Sequence, residues 1–182
     1  MAKVSQKLRS SALKAVLSNK FEEAVDLYRK VLSKDPRDGQ ALNNLAIAYD
    51  SLGRYEEFFE AALRGLDVRP DDVDVINVLA VAEYKLGRHE ASYKRLLDAV
   101  ERFGMAYETA MNLCSVCGEL NLHKEGLQYA VEAVRLHPTN PSAHNNLGSA
   151  FMSLGKEAEA KHCFETTLIL EPDNPFAHTN IG

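Results

Sequence analysis

The chain has 182 residues and a formal net charge of −5, with 46% apolar and 26% charged residues and no tryptophan. That is the composition of a folded globular chain; no run approaches the roughly 20 apolar residues of a membrane span, and the acidic balance disfavours nucleic acid as a partner. Three cysteines cannot close a disulfide framework, which points to a reducing compartment, most simply the cytoplasm.

The opening segment, MAKVSQKLRSSALKAVLSNK, has neither an uninterrupted apolar core nor a small-residue cleavage site, so it does not read as a secretory signal. Residues 1–34 carry eight positive and three negative charges, against 13 and 23 in the remainder. Lys3, Lys7 and Lys14 share one helical stripe, because steps of four and eleven residues return near the same angle. A solvated face explains them; contact with an acidic partner or a membrane surface is the other reading.

From there the chain keeps a period. Pro36, Pro70, Pro138 and Pro172 are separated by 34, 68 and 34 residues, and Gly104 fills the missing place. Setting that place at position 32 divides the chain into units 5–38, 39–72, 73–106, 107–140 and 141–174, followed by 175–182. Apolar spacing predicts two antiparallel helices per unit, from about position 2 to 14 and from about 18 to 31. In chain order these fall at roughly 6–18 and 22–35, 40–52 and 56–69, 74–86 and 90–103, 108–120 and 124–137, and 142–154 and 158–171.

The remaining landmarks obey the same frame. Position 7 holds Leu45, Leu79, Leu113, Leu147 and Ile181. Position 8 holds only small residues, Ala12, Ala46, Ala80, Cys114, Gly148 and Gly182, which lets a neighbouring helix come close. Position 15 is Asn19, Gly53, Gly87, Asn121 or Gly155, the types that tolerate the left-handed backbone ending a helix. Position 20 is mostly small, at Ala24, Ser92, Gly126 and Ala160, with Phe58 the exception. Proline near position 32 stops the second helix, lacking an amide hydrogen and disfavouring helix in the residue before it.

These residues resemble the tetratricopeptide repeat family over residues 5–182, with five full units in register. Unit 1 departs at positions 7 and 11 (Ser11, Ala15) and unit 4 at positions 4 and 11 (Ala110, Cys117), which loosens local packing. The resemblance implies an all-α fold, a right-handed α-solenoid of antiparallel helix pairs, because one pair cannot bury its own apolar face. The expectation is a single solenoid domain over residues 1–182. Because 175–182 repeats only the opening of a unit, the chain is also expected to be an N-terminal portion of a longer protein.

Catalysis finds no support in the sequence, and neither cofactor nor metal is expected. The six histidines are spread along the repeat, His89 and His123 at position 17 and His144 and His178 at position 4. Cys114-x-x-Cys117 has a spacing seen in zinc and redox sites, but the two thiols occupy the packing positions 8 and 11 of one helix. Buried cysteine commonly serves as a small hydrophobe, and that is the expected role.

In the family, positions 2, 5, 6, 9, 12 and 13 of the first helix line a concave face where partners lie. Position 6 holds Asn44, Val78, Asn112, Asn146 and Asn180, and position 5 adds Asn43, Asn77, Met111 and Asn145. An amide side chain offers two donors and an acceptor and can hold a peptide backbone from both sides. This row is similar to the asparagine ladder of the O-linked N-acetylglucosamine transferase family. Ile47, Val78, Val81, Met111 and Met152 supply apolar contact between the amides. A clamp for chaperone C-termini, which in the family needs two basic residues and an asparagine in the first helix, an asparagine in the second and two basic residues in the third, is absent: in units 1–3 the required places hold Arg9, Leu13, Asn44, Asp74 and Val78. Asp50, Asp74, Glu108 and Glu119 outnumber Arg9 and Lys85 on this face, so the expected guest is a neutral to mildly basic protein or peptide segment. The leading reading is a non-enzymatic interaction scaffold. A recruiting arm of a longer enzyme, such as a glycosyltransferase, and a scaffold that self-associates through open solenoid ends are the alternatives.

Overall fold

The computed structural model describes residues 2–181 of the chain, with side chains from Gln6 to Ile181. The side chain of Lys3 and the position-8 residue Gly182 therefore lie outside the described residues. Among the described residues the chain forms eleven α-helices and no strand. They are α1 (Ala2–Leu17), α2 (Phe21–Leu32), α3 (Gly39–Ser51), α4 (Tyr55–Val68), α5 (Val73–Lys85), α6 (His89–Phe103), α7 (Tyr107–Glu119), α8 (His123–Leu136), α9 (Pro141–Met152), α10 (Glu157–Leu170) and α11 (Pro175–Ile181). From α3 onward the helices keep the order and spacing expected from the period, most beginning about one residue earlier than predicted.

The turns explain why the period folds this way. Asn19, Gly53, Gly87, Asn121 and Gly155 all adopt positive φ, between 56° and 72°. In each turn the following amide reaches back to the carbonyl five residues earlier, as in Arg54 N to Tyr49 O at 3.0 Å and Leu122 N to Cys117 O at 2.9 Å. A second bond, Gly53 N to Asp50 O at 2.9 Å in the same turn, completes the Schellman closure. Each first helix thus ends on its own satisfied carbonyls and the chain reverses in a few residues.

Helix starts are set by a residue the period also carries. At position 34, the Asp38 side chain accepts from Ala41 N and that of Asp72 from Asp74 N and Val75 N. Asn140 accepts from Ser142 N and Asn174 from Ala177 N. The place between them holds Ala106, which has no side-chain cap. Such caps are typically each about 1 kcal/mol of helix stability. At the other end, Arg69, His137 and Glu171 leave the helical region directly before Pro70, Pro138 and Pro172. Gly104 substitutes for proline with φ 83°. The first unit differs: α2 ends at Leu32, well before Pro36, because the amides of Lys34 and Asp35 both close on Val31 O and the last turn tightens.

The chain divides into two compact units, Met1–Arg88 and His89–Gly182. In unit 1, α1 to α5 pack each on the next, and the first helices α1, α3 and α5 also touch in sequence. Its core joins Tyr28, Val31, Leu42, Leu45, Phe58 and Leu79, with Ala12 and Ala46 fully buried at position 8. In unit 2, α6 to α11 pack each on the next, and α7 touches α9. There Phe164 fills the space that Gly148 leaves open.

Candidate functional site: the faces of the first helices

The first helices of unit 1 bring their candidate residues onto one side, but the amides do not all point outward. Asn77 is buried and its Nδ2 donates to Val73 O at 3.0 Å, a turn back on its own helix. Asn43 is half-buried, with its Oδ1 enclosed. Asn44 is half-buried beside the Tyr28 hydroxyl of α2, which is buried without a hydrogen-bond partner among the described residues. Burial pushes that phenol above its ordinary value, nearby Asn44 opposes this, and Asp38 adds to the rise. Of the six unit 1 candidates, Asn77 is thus turned back on its own helix, while Asn43 and Asn44 are half-buried.

What remains open on this face is apolar. Ile47 is 41% exposed, Val78 and Val81 are half-buried against the core, and Leu13 is 47% exposed. Leu13, Ile47 and Val81 all occupy position 9, on three helices in succession, and Leu17 lies one turn beyond Leu13 at the end of α1. Leu13 and Leu17 were not among the expected face residues, although Leu13 shares position 9 with Ile47 and Val81.

Charge on this face is simpler than the residue count implies. Arg9 Nε lies 2.6 Å from Asp38 Oδ2, and its Nη2 lies 3.6 Å from Asp35. The cation is held at the α3 cap and does not offset the face. Among the described residues, Asp50 and Asp74 have no cation within ion-pair distance. Lys85 stands 5.8 Å from the Tyr55 ring centroid.

Unit 2 presents a different surface. Asn146 Nδ2 lies 3.7 Å from Met111 Sδ, joining α9 to α7 across one repeat. Asn112 is half-buried, Asn145 is half-buried with Oδ1 enclosed, and Asn180 is exposed on α11. Position 9 carries Ser115 and Ser149, whose hydroxyls donate to Met111 O and Asn145 O at 3.1 Å. This face carries amides and hydroxyls beside the exposed Met152, where that of unit 1 is mainly aliphatic.

The histidines at position 4 have a structural use. His144 Nε2 and His178 Nε2 each lie 2.8 Å from a proline carbonyl, Pro138 O and Pro172 O, and so tie the loop to the next helix. All three cysteines are free and buried. Burial pushes the Cys114 thiol up to about 11. It pushes Cys117 up to about 12, with Cys114 and Glu125 adding to the rise, and raises Cys163 as well. A thiol so held is a poor nucleophile and a poor metal ligand, since both roles need the thiolate. The sign of the pH effect follows: the thiols stay protonated when folded but ionise near their ordinary 9.0 when unfolded. Stability is therefore expected to be full below about pH 9 and to fall as pH rises toward the folded values. Urea midpoints at pH 8 and pH 10.5 check this, and replacing Cys114 and Cys117 by Ala should flatten the difference.

The tetratricopeptide repeat family profile matches residues 12–73 and again 141–174. Among solved structures, the thermophilic TPR protein TTC0263 of Thermus thermophilus is similar over 97% of this chain and 96% of its own, with TM-score 0.84 and 19% identity. PilW, a widely conserved type IV pilus biogenesis factor, is similar over 94% of this chain and 79% of its own, with TM-score 0.84 and 18% identity. YrrB, described as a TPR protein with an unusual peptide-binding site, is similar over 92% and 87%, with TM-score 0.66 and 19% identity. At these identities the likeness is one of fold. No curated protein sequence matches the chain.

Proposed function

We propose that this chain, which belongs to the tetratricopeptide repeat family, is a non-enzymatic scaffold that holds a segment of a partner protein against its first helices. The observation that carries the reading is the row Leu13, Ile47 and Val81 on adjoining helices of unit 1, of which Leu13 and Ile47 are exposed and Val81 is half-buried. Helix positions facing a core are filled in this fold, so aliphatic side chains left exposed, as Leu13 and Ile47 are, are available to a guest. The amides Asn112, Asn146 and Asn180 of unit 2 add donors and acceptors for a peptide backbone. The similar protein YrrB has a peptide-binding site, which supports a peptide as the guest here. With Arg9 bound to Asp38, the unit 1 face leaves Asp50 and Asp74 uncompensated, and this favours a neutral to mildly basic guest. Three buried free thiols support a reducing, cytoplasmic setting.

The reading is tested by selecting peptides from a random library against the full chain and titrating the best binder into variants. Ile47→Asp places a charge on an exposed position of the row, and the expected result is binding weakened at least about tenfold with the melting temperature little changed. Replacing Asn112 and Asn146 together by Ala should weaken a guest spanning unit 2, each lost bond to a buried partner group costing about 1–3 kcal/mol. Selected peptides that bind both variants as tightly as the parent would sink the reading.

A further inference from the structure

A cavity lies away from the first-helix faces, within unit 1. It opens between the second helices α2 and α4, is floored by Leu45 and Tyr49 of α3, and encloses about 360 Å³. That volume is at the small end of ligand pockets, which run from roughly 300 to 1,000 Å³. We propose that this cleft is a separate docking site for an acidic side chain of a protein partner.

The walls supply the chemistry. Arg29 stands on α2 and Arg64 on α4, and both line the cleft. Arg29 Nε donates to the Tyr49 hydroxyl at 3.0 Å. Because that oxygen accepts from Arg29, its own hydrogen is available to an acceptor in the cleft. Tyr49 is only 4% exposed, and its ring centroid lies 5.8 Å from the Arg29 guanidinium carbon and 4.9 Å from that of Arg54. The ring fixes the floor and orients the cations above it.

Two carboxylates also line the cleft, and they differ. Glu57 is held by the Arg54 guanidinium, which keeps its carboxyl below the usual range, so its charge is already matched. Glu60 sits exposed at the rim and is in no ion pair among the described residues. Arg64 makes only a long contact, Nη2 to Pro36 O at 3.5 Å, and neither Arg29 nor Arg64 is in an ion pair among the described residues. Two guanidinium forks and a hydroxyl thus converge on an apolar floor with one unmatched carboxylate against them. A guanidinium recognises a carboxylate through paired N–H donors, and Leu32, Leu45 and Ala61 suit the methylene stem of a glutamate. The charge preference is opposite to that of the first-helix face, so the two sites take different segments.

The test is a titration of the labelled full chain, followed by amide NMR at low salt, with the blocked peptide acetyl-Ala-Glu-Leu-Glu-Ala-amide. The expected result is saturable shifts at amides of α2 and α4, weakened about tenfold when Arg29 and Arg64 are both replaced by Gln. Glu60→Gln removes the opposing rim charge and is expected to tighten binding about threefold; this gain keeps the outcome decisive even if the arginine variant folds poorly. A lysine peptide of the same frame that shifts the same amides equally overturns the proposal, as does absence of saturable binding or unchanged affinity in Glu60→Gln. Free glutarate binding as tightly as the peptide overturns the protein partner in favour of a small dicarboxylate.

Discussion

Replacing Leu79 by Ala is expected to lower the unfolding free energy by about 2–5 kcal/mol. Leu79 is fully buried at position 7 and belongs to the unit 1 core with Leu42, Leu45, Ala46 and Tyr49. Removing three carbons loses their transfer energy and leaves a cavity, because the surrounding helices α3 and α5 are already packed together and relax only in part. Leu113, equally buried at the same position of the fourth repeat, should cost a similar amount. Urea unfolding by circular dichroism reads both. A midpoint unchanged by either substitution would contradict the assigned register, since position 7 must then face outward.

Enlarging Gly148 is the second large effect, and it is opposite in kind. A Cβ at this position would stand 2.5 Å from Cε1 of Phe164 and 2.8 Å from its Cδ1 and Cζ. Phe164 is 1% exposed and packed with Ala160 and Ala177, so the ring has nowhere to go. Gly148→Val therefore overpacks the α9–α10 contact and is expected to cost about 3 kcal/mol, at the upper end for inserted core volume. The better helix propensity of valine offsets only a few tenths of that. Phe164→Ala alone should cost about 3–5 kcal/mol through the cavity it opens. Together the two changes should cost well below their sum, since the valine then occupies space the ring has left. Strict additivity in urea unfolding would show that the residues do not share the contact.

The repeat was legible because its determinants are local. Asn19, Gly53, Gly87, Asn121 and Gly155 each end a helix through their own backbone freedom, whatever packs nearby. Helix faces were legible too: small residues at position 8 are buried at Ala12, Ala46 and Ala80, because a 34-residue period places them at the same contact in each unit. The caps at Asp38, Asp72, Asn140 and Asn174 stand at one position of the same frame and were available to the same reasoning.

The site was legible only in part, because a helical position says which face a side chain leaves from and not what it meets. Asn43 and Asn77 occupy first-helix positions assigned to the face, yet one has its Oδ1 enclosed and the other donates to Val73 O. Arg9 counted as a groove cation until Asp38, 29 positions along the sequence, drew it to a cap at 2.6 Å. The α2–α4 cleft brings together Arg29, Tyr49 and Arg64 from three helices, and no spacing within one helix announces it. The amino-acid sequence by itself determined the period, the helix pairs and the buried stripes, since these follow from backbone preference and apolar repetition. Only the tertiary structure decided which polar groups are used up in the fold and which stay free, since that depends on side-chain distances between neighbouring repeats.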